Sequence, residues 1–401
     1  MGMDVPELKR ICVYCDTWGQ GGIEAFISET LLHMDMEGLS FRLVCAEKTA
    51  SRFDVRLAER GLCVQPLLAG QGASALAKTL KSVVPLARLC RQEGIEIVHL
   101  NVFHSVSLVQ ALVLKLCGVE RVIVHCHGAG LRKSRGGAVK SLGHAIFRRL
   151  LRRVPDERWA ASRPAARFLF GTDEVQIVPN GIETVRFRFD SEKRLALRRE
   201  LGAGDRLVLG CVGRLDAQKN QRFLLTLLAA IEHRGGSALL LLIGDGEERP
   251  ALERYAVELG IRGDTVFHGV SGCVGDWMCA MDLLLIPSTS EGLSIAAIEG
   301  QASGLPVLCS TGVPEEVRLS GLVRFLPLSD MGRWIDAVDD RPACDRVEMN
   351  ARIRGSGYDI RDAAAMVRAL YLSGRPDAVG EKITEGERRA PSSCGSGQKI
   401  S

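Results

Sequence analysis

Two glutamates separated by seven residues, Glu291 and Glu299 in "PSTSEGLSIAAIEGQASGLPVLCS", are the pair in this sequence best spaced for shared chemistry. Glu291 follows the apolar run "LLLIPS", and "GLSIAAIEGQAS" has helical periodicity that predicts a helix start at Gly292 and Leu293. Unpaired backbone N–H groups at such a start suit an anionic phosphate. A carboxylate at Glu291 must then address another part of the ligand, such as sugar hydroxyls. Glu299, two turns on, offers two acceptor oxygens to the vicinal hydroxyls of a ribose. Taken alone, the pair also fits ordinary solvent-facing helix glutamates.

Upstream, "GCVGRLDAQKN" puts Arg214 and Lys219 just past an apolar run, with Gly213 making the turn. Two fixed cations there suit a diphosphate and the charge that grows on it as it leaves. No D-x-D pair occurs in the chain, so a mechanism without metal is the expectation. "LIGDGEE" supplies another glycine turn, and the main chain near Val270, after "FHGV", is placed to read a base edge. Near the N-terminus, "CDTWGQGGIEAF" approximates G-x-G-x-x-G: Gly19 and Gly21 fit, but Glu24 occupies the third position, where close helix packing wants no side chain.

These residues need a scaffold, and the chain alternates short β-rich runs with helix-length segments throughout, which predicts βαβ units and parallel sheets. The first half reads "RICVYCD", "FRLVCAE", "VQPLL", "IEIVHLN", "ERVIVHCHG", "ERWAAS" and "EVQIVPNG"; the second reads "RLVLGCVG", "SALLLLIGDG", "DTVFHGV", "DLLLIPS" and "PVLCS". The expected fold is α/β, with two doubly wound Rossmann-like domains facing each other across a cleft. Pro179 and Asn180-Gly181 set the boundary, giving a first domain over 1–183 and a second over 184–355. A last amphipathic helix is expected over 356–373, with a possible return to the first domain, and a disordered tail over 374–401. Ligands in such sheets bind beyond the carboxyl ends of the strands.

The bulk numbers agree with two domains: 401 residues, 46% hydrophobic, 25% charged, net charge +4. With no leader-like N-terminus and no apolar run of membrane-spanning length, the chain is expected in the cytoplasm. Most of the 13 cysteines sit inside apolar runs and read as buried thiols of a reducing compartment. Cys12 and Cys15 have C-x-x-C spacing but lie on one strand, where residues three apart face opposite ways.

The run from Gly213 to Pro306 resembles the nucleotide-sugar domain of retaining glycosyltransferases of GT-B family 4, and within that family is similar to capsular and exopolysaccharide enzymes. "GGIEAF", "IVHLN", "HCHG" and "VPNGIE" extend the resemblance over roughly residues 10 to 330. It implies that Arg214 and Lys219 hold the donor diphosphate, Glu291 contacts the donor sugar, and Glu299 binds the ribose. Gly292 and Leu293 would offer amides to phosphate and sugar, Gly21 and Gly22 would approach the diphosphate from the opposite domain, and His127 would line the sugar side. The implied substrates are a nucleoside-diphosphate sugar on the second domain, UDP being the commonest in the group, and a lipid-linked or growing glycan, with the first domain as the acceptor side. No cofactor or metal is implied.

Residues 131–154 carry eight Arg and Lys and no acid, with Leu142, Ile146, Phe147, Leu150 and Leu151 interspersed at helical spacing. That suits an anionic membrane surface bearing a polyprenyl-diphosphate-linked acceptor; it equally suits a solvated helix packing its apolar side on the domain. Two rivals remain. An NAD-dependent oxidoreductase would use the Gly19–Gly22 turn and Glu47, yet Glu24 spoils the turn and Glu291/Glu299 go unused. A basic membrane- or nucleic-acid-binding module leaves the second domain unexplained, and aromatics are too sparse for base stacking.

Overall fold

The computed structural model describes residues 8–70, 74–128, 130, 137–342 and 344–373. The tail after Gly374 and positions 131–136 of the basic segment lie outside the described residues. Among the described residues thirteen strands form two parallel sheets. The first contains β1 (Lys9–Trp18), β2 (Leu39–Lys48), β3 (Val64–Pro66), β4 (Ile97–Val102), β5 (Arg121–Cys126), β6 (Glu157–Ala160) and β7 (Gln176–Ile177), in the order β3-β2-β1-β4-β5-β6-β7. The second contains β8 (Leu207–Val212), β9 (Ala238–Ile243), β10 (Thr265–Gly269), β11 (Leu283–Ile286), β12 (Val307–Ser310) and β13 (Val323–Leu326), in the order β10-β9-β8-β11-β12-β13.

Continuous apolar runs form the central strands because helices cover both faces: every residue of β9, "ALLLLI", is buried. Cys12 and Cys15 enter the two different cores on opposite faces of the first sheet, as strand alternation requires. Strand order reverses between β1 and β4, and again between β8 and β11. These two reversals are the switch points where loops diverge and leave a crevice. β13 is an edge strand that the apolar runs did not announce, since Arg324 interrupts it.

The backbone crosses between the sheets twice, and the crossings pair. Ile182 N–H donates to the Tyr358 carbonyl at 2.8 Å, and Ile360 N–H to the Ile182 carbonyl at 2.9 Å. The final helix, Ile360–Ser373, lies against the helix Gly22–His33 and places Val367, Leu370 and Tyr371 in a core of the first sheet. Arg121 of β5 donates to the Tyr371 carbonyl at 2.8 Å, satisfying an end that helices leave open.

Candidate active site

At the switch point of the second sheet, the loops after β8 and β11 are tied together. Asp216, 5% exposed, accepts from the Gln218 amide at 3.1 Å and the Lys219 amide at 3.0 Å, which fixes the turn. Asn220 takes a left-handed conformation (φ 55°) and donates through its side chain to the Pro287 carbonyl at 3.2 Å. The Thr289 amide donates to the Gln218 carbonyl at 2.8 Å, and Gln218 Nε2 to the Ser290 carbonyl at 2.7 Å.

This frame brings Lys219 Nζ to 2.6 Å from Glu291 Oε1. Ser288 Oγ donates to the same oxygen at 2.6 Å, and the Glu291 amide donates to the Gly312 carbonyl at 3.0 Å. Glu291 is only 7% exposed, so its charge is held by a matched cation and hydroxyl instead of by water. Arg214 pairs with Asp216 at 2.7 Å while its side chain stays 63% exposed. Two glycines let the loops close up. A Cβ on Gly244 (φ 136°) would lie 1.9 Å from the Gly213 carbonyl oxygen, and one on Gly312 would lie 2.4 Å from that of Thr289.

The helix after β11 begins later than its periodicity predicts: it spans Ile295–Ala302, with extended Ser294 (φ −91°, ψ 97°) at its N-cap. Gly292 and Leu293 therefore lie in the approach loop, and Ser162 of the first domain donates to the Gly292 carbonyl across the cleft at 2.7 Å. Glu299 is half-buried; its carbonyl accepts from the Ser303 amide at 2.9 Å, and its carboxylate has no hydrogen bond or ion pair among the described residues. Burial pushes its carboxyl up to about 7, while Arg52, in the first domain, and Lys219 pull it down. Val270, 67% exposed, follows β10, whose Gly269 carbonyl accepts from the Gly244 amide at 2.8 Å.

On the opposite wall, Glu24 folds back over the glycine turn. Its carboxylate faces the amides of Gly19, Gly21 and Glu24, and a Cβ on Gly21 would lie 2.6 Å from Glu24 Oε2. The residue that spoils the fingerprint thus fills the turn with its own anion, though the space above Gly22 is open. Glu47, the candidate ribose acid of a dinucleotide site, is 5% exposed and paired with Lys78 at 3.0 Å. His127 stands at the end of β5. Asn101 turns its amide nitrogen toward main-chain carbonyls, so its Oδ1 accepts from His127 Nε2–H at 2.9 Å. Among the described residues His127 Nδ1 is buried without a partner, and burial lowers the ring's pKa to about 3. Behind it lie His125, with ring centroids 4.0 Å apart, and His99, which bonds Tyr371 Oη at 2.6 Å. Sequence reasoning missed Asp216, Ser288, Ser162 and Asn101; the D and S of "RLDAQK" and "PSTSE" are the only signal they give.

The helix Gly137–Leu151 divides its apolar residues. Leu151 packs on the core and His144 stacks on Phe168 at 4.3 Å, whereas Leu142, Ile146 and Leu150 point outward, 64%, 48% and 70% exposed. The helix Ala75–Gln92, in the same layer, exposes Leu76, Leu80 and Val84 and likewise contains no acid. Among the described residues no helix is long and apolar enough to cross a membrane. Glu29, His33 and Glu183 form a group spaced for a metal, but Glu29 pairs with Arg56 and Glu183 with Arg186.

Two parallel-sheet domains facing one another, with a cation–carboxylate pair at the second switch point, define a GT-B glycosyltransferase. The sequence profile "Glycosyl transferase 4-like domain" matches residues 21–181, and "Glycosyl transferases group 1" matches residues 206–339. The chain belongs to the glycosyltransferases that join these two domains. It is similar to EpsF of Bacillus subtilis (strain 168), which bears the name of a glycosyltransferase, with 26% identity over 377 residues covering 90% of this chain and 96% of that one. A GDP-mannose-dependent alpha-(1-6)-phosphatidylinositol monomannoside mannosyltransferase of Mycobacterium tuberculosis (strain CDC 1551 / Oshkosh) is 29% identical over 278 residues, covering 65% and 69%. Anabaena Alr3699/HepE, solved with UDP and glucose, shares the fold with a TM-score of 0.72 at 15% identity, over 90% of this chain and 99% of that one.

Proposed function

We propose that this glycosyltransferase moves a sugar, with retention of configuration, from a nucleoside diphosphate to a hydroxyl of a lipid-linked or growing glycan. The observation that carries the reading is the Lys219–Glu291 pair at the second switch point, with the carboxylate of Glu299 near enough to feel the charge of Lys219. In this reading Lys219 and Arg214 hold the diphosphate, Glu291 takes donor-sugar hydroxyls, and Glu299 takes the ribose. Gly292, Leu293 and the backbone near Val270 contact phosphate, sugar and base. Gly22, with open space above it, reaches the diphosphate from the first domain; Gly21 does so only once Glu24 moves off its amide. His127, held neutral by burial, lines the sugar side.

The glycosidic C1–O bond to phosphate breaks and a C1–O bond to the acceptor forms on the same face. The departing phosphate oxygen takes the acceptor proton. Lys219 and Arg214 act because charge on that phosphate grows in the transition state, so no resident metal is called for. The base is proposed to be uracil, in line with the UDP held by the Anabaena neighbour; the mannosyltransferase relative makes guanine the alternative.

The acid-free helices Ala75–Gln92 and Gly137–Leu151, with six outward apolar side chains, are proposed to rest on an anionic cytoplasmic leaflet that carries the acceptor. A donor-hydrolysis screen across UDP- and GDP-sugars tests the reading. Release of one nucleoside diphosphate is expected, lost in Arg214→Ala; unchanged release in that variant would contradict the assignment.

A further inference from the structure

A short helix keeps its place only when its open ends are satisfied, and the helix Arg163–Phe170 of the first domain is held at both. Its last carbonyls accept from the helix Gly137–Leu151 and the turn past it: His144 Nε2 bonds the Phe168 carbonyl at 3.0 Å, and Arg152 Nη1 the Phe170 carbonyl at 3.2 Å. Ala165, Ala166, Leu169 and Phe170 bury its inner face in a core of the first sheet. At its start stands Ser162, extended and 2% exposed, whose Oγ caps the helix by accepting from the Ala165 amide at 3.3 Å. Capping uses only a lone pair of that oxygen. The hydroxyl proton is left over, and it points at the Gly292 carbonyl of the second domain, 2.7 Å away.

Gly292 is a place where such a bond matters. A peptide beside glycine turns over readily, whereas the neighbours are anchored: Glu291 is gripped by Lys219 and Ser288, and Leu293 packs on a core of the second sheet. The peptide joining Gly292 to Leu293 is planar and trans, so holding its carbonyl toward Ser162 aims the Leu293 N–H the opposite way. The bond also polarises that N–H and makes it a stronger donor.

We propose that Ser162 is a positioning residue for the transfer, fixing from the first domain the direction in which the Leu293 amide of the donor loop faces. The inference rests on the glycosyltransfer reading, in which that amide meets donor phosphate or sugar. It gives the approach of the two domains a chemical consequence: the amide is aimed only while the helix Arg163–Phe170 stands against the donor loop. Ser162 itself touches no reacting atom.

Ser162→Ala, Ser162→Gly and Ser162→Thr in the full chain test this. Glycine is nearly as good an N-cap as serine, alanine is a poor one, and threonine keeps both cap and hydroxyl. A capping role alone would separate Ala from Gly; the positioning role separates both from Thr. Hydrogen–deuterium exchange over residues 291–295 should quicken about fivefold or more in Ala and Gly and keep the wild-type rate in Thr. With UDP-glucose and GDP-mannose as donor probes, kcat for donor hydrolysis should fall about tenfold in Ala and Gly, be restored in Thr, and move far more than KM. Unchanged exchange in both Ala and Gly, or losses that follow melting temperature so that Gly keeps the wild-type kcat, would overturn the proposal. A wild type that hydrolyses neither donor would refute the glycosyltransfer reading, while the exchange measurement still decides whether Ser162 holds the loop.

Discussion

Lys219 Nζ sits 2.6 Å from Glu291 Oε1, joining residues 72 positions apart at the carboxyl ends of adjacent strands. The cation is thereby placed and partly desolvated; in the proposed reading an incoming diphosphate would exchange for, or share with, the carboxylate. Little reorganisation is then required when charge develops on the leaving group.

Lys219→Ala should reduce kcat by about 100-fold or more while changing donor KM far less, because the charge it meets is larger in the transition state. Steady-state kinetics decides this. A rise in KM with unchanged kcat would mean that the lysine only binds ground-state donor.

Glu299 should make donor binding depend on pH. Its carboxyl, raised to about 7 by burial, accepts ribose hydroxyls best when ionised. UDP affinity is expected to rise from pH 6 to pH 8 in the wild type and to stay flat in Glu299→Gln. The stability sign is opposite. A raised acid binds more protons folded than unfolded, so stability falls as pH rises from the unfolded value near 4.5 through 7. Glu299→Gln should therefore melt ~2–4 °C above wild type at pH 8 and no higher at pH 5.

The buried histidines give a second pH signature. Burial lowers His99 and His127 to about 3, and His125 well below its ordinary value. Unfolded, they take up protons below about 6.5, so stability is lost as pH falls from there toward 3, by up to ~1.4 kcal/mol per pH unit for each ring. Denaturant midpoints should fall steeply below pH 6, and less steeply in Tyr371→Phe/His99→Asn, which removes one such ring.

Reversal of charge at the exposed Arg149 of the helix Gly137–Leu151 and at the exposed Arg153 in the turn just past it should weaken sedimentation with phosphatidylserine vesicles by roughly fivefold per residue. Hydrolysis of soluble donor should be unaffected. Binding that ignores both lipid charge and these substitutions would remove the membrane surface from the account.

The architecture was legible because apolar runs of strand length alternate with helical segments, and parallel sheets make those runs continuous. The E-x7-E spacing and "GRLDAQK" named the residues that the second switch point gathers. What brings them together was not legible: Asp216 bonding backbone amides, Ser288 sharing Glu291, and Ser162 reaching Gly292 from the other domain are contacts that no local pattern encodes. The helix start was misplaced by three residues because Ser294, not Gly292, adopts the cap geometry. Glu24 was visible as a misfit in a glycine motif, but only its side-chain direction shows that it fills the turn it interrupts.

The loops after β8 and β11, with Glu299, are proposed to form a nucleotide-sugar site. Calorimetric titration of UDP, GDP and NAD into wild type and Glu299→Ala tests it most directly. Saturable binding of UDP or GDP is expected, weakened about tenfold or more in Glu299→Ala, with none of NAD. Binding of neither nucleotide, or binding indifferent to the loss of Glu299, would contradict it.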